Sequence, residues 1–233
     1  MTTGILYLAH NRKSFTEDSL TALKRNTNWD RVTRIDLYDD GSGDGAECVA
    51  AAFANEVGVP AEVHRGRYGS PVAVMNAYLA GCKCDLFVKV DNDVMLPPRW
   101  LDVALDVMQR NPNLALLGLE PQRVPQTDPR GYVDTRAIGG VGIMRRDVFS
   151  DPMEPVAVHG GFDKWQLEHP QVKKGWLSPS IKMFLLDRLP MNPWRSISDE
   201  YIDKGWQRPW KRYTEADAAL WTWWIDETVW DES

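Results

Sequence analysis

No stretch of this sequence reaches the roughly 18 consecutive apolar residues needed to cross a bilayer core, so no spanning helix is expected. Cysteine is scarce. Cys48, Cys82 and Cys84 are odd in number and too few for a disulfide framework, and they are expected as reduced thiols. Cys82-Lys83-Cys84 would hold a metal only with further ligands; small buried thiols are the simpler expectation. The first residues lack the basic region, apolar core and cleavage site of a signal peptide, and Ile5 to Ala9 is short enough to be a strand. A cytoplasmic protein is therefore expected. No internal repeat or low-complexity tract is visible. What remains is a chain of 233 residues, 43% hydrophobic and 26% charged, with the composition of a soluble globular protein and the length for one real core.

The formal net charge of −6 is unevenly placed. Residues 164–212 carry ten Lys/Arg against five Asp/Glu, and nine of the eleven tryptophans lie at or beyond Trp165. The C-terminal third is thus basic and aromatic on an otherwise acidic chain.

Periodicity gives the elements. Gly4 to Ala9 reads as a strand, and Ser14-Phe15-Thr16-Glu17 matches a capping box that would open a helix closed near Asn26 to Asn28. Arg31 to Tyr38 alternates as a second strand. Ala46 to Val57 is an Ala-rich helix stopped by Gly58 and Pro60, and Ala61 to His64 is a short strand. Ser70-Pro71 is an N-cap with a first-turn proline, opening a helix to about Ala80. Leu86 to Val90 is an apolar strand, Trp100 to Arg110 a helix, and Leu114 to Leu119 a strand. This βαβα alternation predicts an α/β fold with a mostly parallel sheet and helices on both faces. Val133 to Ile138 and Val141 to Arg145 are expected strands flanking Gly139-Gly140. Beyond Gly160, loops and short helices are expected, with a last helix over Thr214 to Glu227.

The chemistry gathers at strand ends. Asp91-Asn92-Asp93 follows the apolar run Phe87-Val88-Lys89-Val90. Buried parallel strands carry ligands at their carboxyl ends. Two carboxylates there can offer hard oxygen ligands to a divalent cation that also meets substrate phosphates. The loop Asp39 to Gly45 is not a dinucleotide fingerprint. Its glycines are spaced G-x-G-x-G after the second strand, and its aspartates would repel a pyrophosphate. An Asp there is suited instead to accept hydrogen bonds from a nucleobase or ribose, or simply to cap the turn.

Taken in order, the His10-Asn11-Arg12 turn, the Asp39-Asp40-Gly41-Ser42 loop, Gly69 and Asn76 of the third helix, Asp91-Asn92-Asp93, and Leu96-Pro97-Pro98 form a set. In that set the sequence resembles the family 2-like nucleotide-sugar glycosyltransferases of the GT-A fold, over roughly residues 4–150. Gly139-Gly140-Val141-Gly142 resembles the family's Gly-Gly segment at the junction of donor sugar and acceptor. The resemblance implies one GT-A (Rossmann-like) domain over 1–233: a nucleotide-sugar half (1–120), and an acceptor half (121–233) ending in an irregular Trp-rich extension. It implies that Asp40 reads the nucleobase, usually uracil, with Asn11 and Arg12 beneath the nucleoside. Arg65 or Arg67 would meet the nucleotide, and Asp91 the ribose and donor sugar. Asp93 would be the principal ligand of Mn2+ or Mg2+, with Asp187, His159 or His169 as a further ligand. An inverting member needs a carboxylate base. Asp163, after Gly160-Gly161, is the first choice and Glu168 the second, with Trp165 beside the junction.

On the acceptor side, basic side chains such as Lys173, Lys174, Arg195 and Lys211 interleave with Trp176, Trp194, Trp206 and Trp210. Such a pattern can neutralise phosphates and stack on bases or sugars. It points to a polyanion, specifically hydroxymethylated bases in DNA, which an enzyme must extract from the stack. A saccharide or lipid-linked acceptor is the alternative; plain packing accounts for at least half of these tryptophans. Two other functions compete. A sugar-phosphate nucleotidyltransferase would carry a glycine-rich loop after the first strand, where His10-Asn11-Arg12-Lys13 has no glycine. A non-catalytic glycan- or nucleic-acid-binding module would not need the intact Asp-x-Asp.

Overall fold

The computed structural model describes residues 1–119, 128–155, 157–178 and 183–186. In chain order the elements are β1 (Thr3–Ala9), α1 (Lys13–Asn26), β2 (Arg34–Asp40), α2 (Ala46–Glu56), β3 (Ala61–Gly66), α3 (Pro71–Gly81) and β4 (Leu86–Asp91). There follow β5 (Val94–Met95), α4 (Trp100–Arg110), β6 (Leu116–Gly118), β7 (Tyr132–Asp134), β8 (Gly142–Arg145), α5 (Ala157–Glu168), β9 (Lys174–Leu177) and β10 (Phe184–Leu185). Eight strands form one sheet in the order β3-β2-β1-β4-β8-β6-β9-β7, and β5 pairs with β10 apart from it.

The parallel half is β3-β2-β1-β4, and β6 pairs β9 in parallel as well. The expected α/β fold is therefore present. Alternation along each strand divides the core into two layers. Ile5, Tyr7 and Ala9 of β1 face the layer shared with α1, α2 and α4; Leu6 and Leu8 face α3 and α5. Both faces of β1 are covered, which is why its seven residues are all buried.

Three expectations need correction. The helix after β1 does not begin with the Ser14 capping box. It begins at Lys13, behind Arg12 at φ 60°, with no side-chain cap of its own. The Lys13 amide is satisfied from another loop, by Asp44 Oδ2 at 2.8 Å. Thr16 turns inward and is fully buried. By contrast, Ser70 caps α3 as its sequence suggests, accepting from the Ala73 amide at 3.1 Å. Second, the strand expected over 133–138 is only Tyr132–Asp134. Third, the region beyond Gly160 is not mainly loop as far as Leu177. Gly160-Gly161 lies inside α5, and β9 joins the sheet. Residues 187–233, including Asp187, Trp194, Arg195, Trp206, Trp210, Lys211 and the helix expected over Thr214 to Glu227, lie outside the described residues. No helix among the described residues is long and apolar enough to cross a membrane.

Strand β8 slots antiparallel between β4 and β6, pairing Gly142 with both Lys89 and Gly118. Glycine is required there. A Cβ on Gly142 would lie 2.8 Å from the Leu117 carbonyl oxygen and 2.9 Å from Ile138 Cδ1. The outer strands use a related device, an aromatic ring laid on a glycine. The Trp176 ring covers Gly118, and the Tyr132 ring covers Gly175. Tyr132 is itself flanked by Arg130, 4.7 Å from the ring centroid, and Lys173 at 5.5 Å.

This packing sets an expectation. A Cβ at position 175 would lie 2.3 Å from Tyr132 Cδ2. Gly175→Ala should displace the ring and lower the unfolding free energy by about 1–3 kcal/mol. Urea denaturation checks this, and an unchanged midpoint would refute the ring-on-glycine account of the outer sheet.

Candidate active site

Three loops meet at the carboxyl ends of β1, β2 and β4, and hydrogen bonds join them. Asn11 is the knot between the first two. Its amide donates to Ser42 Oγ at 2.8 Å, and its Oδ1 accepts from the Gly43 amide at 3.0 Å. Asn11 and Arg12 both take the left-handed conformation, at φ 51° and 60°. Such backbone is uncommon outside glycine and persists only where the surroundings hold it. Here the holders are Ser42, Gly43 and Asp44.

The third loop is tied by Asn92. Its Nδ2 donates to the Asn11 carbonyl at 2.8 Å and to Thr16 Oγ1 at 3.0 Å, and the side chain is buried. Helix α1 continues the attachment with buried polar residues on one stripe. Ser19 Oγ donates to the Val94 carbonyl at 2.6 Å, and Asn26 Nδ2 to the Leu96 carbonyl at 2.7 Å. The backbone from 92 to 96 thus rests along α1.

The carboxylates that flank Asn92 are each met by a cation. Lys89 Nζ lies 2.6 Å from Asp91 Oδ1 and 2.9 Å from the Gly140 carbonyl. Arg12 Nη1 lies 2.8 Å from Asp93 Oδ2. The side chains of Asp91 and Asp93 are 32% and 24% exposed. These contacts use Oδ1 of Asp91 and Oδ2 of Asp93, so each keeps its other oxygen for a hard cation at a half-open mouth. The donor set fits a divalent ion. Beneath it, burial pushes the Tyr7 hydroxyl well above the usual phenol range, so it stays neutral.

Asp40 ends β2, but its carboxylate is already engaged. Oδ1 accepts from the backbone amides of Tyr68 and Gly69, and Oδ2 from Gly69 at 3.1 Å. It pins the turn before α3. Arg67, in that turn, is exposed and lies along Gly41: a Cβ there would sit 3.0 Å from Arg67 Cγ. Arg65 is exposed on β3.

Gly139 and Gly140 lead into β8 beside Asp91. The bond from Lys89 fixes Gly140, and Gln166 fixes the residue before Gly139. The fully buried Gln166 side chain accepts from the Ile138 amide at 2.8 Å and donates to the Ile138 carbonyl at 3.0 Å. Helix α5 is thereby clamped to the Gly-Gly segment. Asp163 lies one turn before Gln166 on α5 and is exposed. Glu168 faces another way, 3.8 Å from Lys164. Trp165, expected beside the junction, is a core residue at 6% exposure, stacked between Phe149 and His169. The ring of His169 is held by that stack and by the Trp165 carbonyl at 2.7 Å from Nδ1. Side-chain positions for His159 lie outside the described residues, as does all of Asp187. The chain reaches Leu186, however, whose amide donates to the Asp93 carbonyl at 2.7 Å.

Another metal-type cluster, Asp36, Glu62 and His64, sits within β2 and β3 rather than at the strand ends. Arg34 already fills the cation role there. Its Nε donates to Asp36 Oδ2 at 2.7 Å, and its Nη2 bonds Asp36 Oδ1 as well. The three cysteines are free thiols, with the Cys84 amide 3.4 Å from Cys82 Sγ.

A family model described as glycosyl transferase family 2 matches residues 5–151, well over half of the chain. The chain belongs to this family. The match spans β1 through β8 and takes in Asn11, Arg12, Asp40, Asp91, Asp93 and the Gly139-Gly140 segment. No curated protein matches the sequence. Among solved structures, similarity in fold is clear at low identity. Staphylococcus aureus TarS 1–349 in complex with UDP-GlcNAc aligns at TM-score 0.61 and 13% identity over 78% of this chain and 58% of its own. The mannosyltransferase PcManGT from Pyrobaculum calidifontis, in complex with GDP-Man and Mn2+, aligns at TM-score 0.63 and 14% identity, covering 76% of this chain and 54% of its own. Glucosyl-3-phosphoglycerate synthase from Mycobacterium tuberculosis, in complex with Mn2+, UDP and glucosyl-3-phosphoglycerate, aligns at 0.57 and 15%, over 77% and 70%. The chain spans about three fifths of the TarS 1–349 structure. Lys89 and Gln166, whose bonds hold Asp91 and the Gly-Gly segment, were not among the site residues expected from the sequence.

The Gln166 clamp can be measured. Gln166→Leu leaves the Ile138 amide and carbonyl unpaired in a buried place. It should lower the unfolding free energy by about 2–4 kcal/mol. Amide exchange across residues 137–142 should accelerate well beyond that of β1; equal protection in mutant and wild type would show that α5 does not hold the Gly-Gly segment.

Proposed function

We propose that this chain moves a sugar from a nucleotide-sugar donor, a UDP-sugar, to an acceptor hydroxyl with inversion at the anomeric carbon. The observation that carries this reading is the convergence of Asp91 and Asp93 with the Asn11-Arg12 turn and the Asp40 to Asp44 loop at three adjacent strand ends. Brought together there are carboxylates for a cation, a guanidinium for a diphosphate, and an aspartate for a base. In this reading Asp40 and Arg67 border the nucleobase and nucleotide, and Asp91 meets the ribose and donor sugar. Asn11 acts through its backbone stitching rather than through a free side chain.

Asp93, with Asp187, would hold Mn2+ or Mg2+. When bound, the metal neutralises the charge that develops on the leaving diphosphate. Complexes described for the structural neighbours, with UDP, UDP-GlcNAc or GDP-Man and with Mn2+ or Mg2+, support this donor and metal class. Lys89 keeps Asp91 and the Gly140 carbonyl at fixed separation, so the donor sugar meets a firm wall. Asp163, on the helix clamped beside Gly139, takes the proton of the acceptor hydroxyl as its oxygen bonds to the anomeric carbon and the bond to the diphosphate breaks. Glu168, turned toward Lys164, is the second choice.

For the acceptor, the basic stretch 164–212 supports an anion, with hydroxymethylated DNA as the specific case. A saccharide or lipid-linked acceptor is the alternative, and one observation subtracts from the case for an anion. Lys174 is buried, its ammonium donating to the carbonyls of His169 and Val172 at 2.7 and 2.8 Å. Burial lowers its pKa. That lysine is not free to meet phosphates.

The test is release of nucleoside diphosphate from a panel of nucleotide sugars, with hydroxymethylated DNA and simple saccharides as acceptors. Turnover is expected with a UDP-sugar, to be abolished by chelation of divalent metal, and Asp93→Asn should lower kcat/KM by at least about a hundredfold. Metal-independent turnover, or binding of glycan or DNA with no effect of nucleotide, would defeat the reading. Turnover that requires DNA would decide the acceptor for the polyanion.

A further inference from the structure

The Asp-x-Asp loop is charge-balanced before any ligand arrives. Lys89 answers Asp91 and Arg12 answers Asp93. The two cations differ in freedom. Lys89 is almost fully buried and bridges to the Gly140 carbonyl, so it is part of the framework. Arg12 has Nη1 on Asp93 at 2.8 Å, with a side chain 15% exposed. Its guanidinium also lies 5.8 Å from the centroid of Phe15, a loose contact. Its backbone is anchored independently, because the Arg12 carbonyl accepts from the Thr16 amide at 3.0 Å. The head group can therefore move while the turn stays in place.

We propose that Arg12 is an internal counter-ion that occupies Asp93 in the empty site and shifts to the diphosphate when a metal–nucleotide complex binds. This rests on the nucleotide-sugar reading above and deepens it. A divalent cation approaching Asp93 alone meets a carboxylate already paired, and a guanidinium 2.8 Å from that oxygen repels it. A diphosphate arriving with the cation offers the guanidinium a second partner of matching geometry, since Arg binds phosphate and carboxylate alike through two parallel N–H donors. Metal and nucleotide then bind with positive coupling, because each removes a cost that the other would meet alone. Lys89 does not take part; its bond to Gly140 ties it to the strand.

The test uses the whole chain and needs no turnover. Mn2+ binding is measured by electron paramagnetic resonance or calorimetry, with and without UDP, for wild type, Arg12→Met and Arg12→Lys. Wild type is expected to bind Mn2+ weakly alone and tightly with UDP. Arg12→Met should bind Mn2+ alone about tenfold more tightly than wild type, equivalent to about 1.4 kcal/mol. It should bind UDP with Mn2+ more weakly, so that the coupling shrinks. Arg12→Lys keeps the charge and should restore most of the coupling, which a purely structural role for the side chain would not produce. Circular dichroism identifies a variant that fails to fold, in which case Arg12→Lys against wild type decides through its coupling. Mn2+ bound no more tightly by folded Arg12→Met, while wild type still binds UDP with Mn2+, would overturn the counter-ion role alone. Absence of UDP binding by wild type at any Mn2+ concentration would overturn both this role and the donor reading.

Discussion

The side chain of Asn92 is the contact on which the site depends. One amide group reaches the Asn11 carbonyl and Thr16 Oγ1, and so joins the ends of β4, β1 and α1. A carboxylate at this position could not donate these bonds, and a carbon side chain would take this donor from the Asn11 carbonyl and leave Thr16 Oγ1 only its bond to the Arg12 carbonyl. The residues on either side are then presented in opposite senses, Asp91 toward Lys89 and the Gly-Gly segment, Asp93 toward Arg12. The middle position of the Asp-x-Asp sequence is structural; in the proposed function the outer two are chemical.

Around this knot the loops hold one another rather than resting on hydrophobic packing. Asp44 satisfies the first amides of two helices, Lys13 of α1 and Ala46 of α2, at 2.8 and 3.1 Å. Across the β1 and β2 ends, the Asn11 amide donates to Ser42 Oγ and the Gly43 amide donates back to Asn11 Oδ1. Two consecutive left-handed residues, Asn11 and Arg12, are tolerated because of these bonds. Rigid strands below and mutually bonded loops above give a site whose polar groups are oriented before ligand binds, which is what electrostatic stabilisation of a leaving group requires. In the counter-ion proposal, the Arg12 head group is the charge that shifts within that arrangement.

Much of the site was legible in residue order. The strand-end positions of Asn11, Asp40, Asp91 and Asp93 followed from apolar runs and the turns after them, because a parallel sheet brings its carboxyl ends together. Several helices were legible for the same local reasons, as with Ser70-Pro71 at α3. The Ser14 box misled because it is a local pattern, and a tertiary partner, Asp44, supplied the cap instead. Gly160-Gly161 misled because glycine weakens a helix only modestly, and burial of Phe162, Trp165 and Gln166 outweighs that cost. A signal for Lys89 did exist. A lysine inside the apolar run Leu86 to Val90 is rarely buried without a partner, and the partner was two residues away on the same face of the strand.

The sequence by itself determined the α/β alternation, the two-layer core and the family motifs in order. These depend on short-range periodicity, which any one segment carries within itself. Only the tertiary structure decided which cation answers which carboxylate, that Asn92 is the fastening, that Trp165 is core, and that β8 enters between β4 and β6. Apart from the pairing of Lys89 with Asp91 two residues on, these depend on contacts between residues distant in the chain, such as Arg12 with Asp93 and Ile138 with Gln166. No local pattern encodes them, because the energy of each bond is set by a partner that folding alone brings within 3 Å.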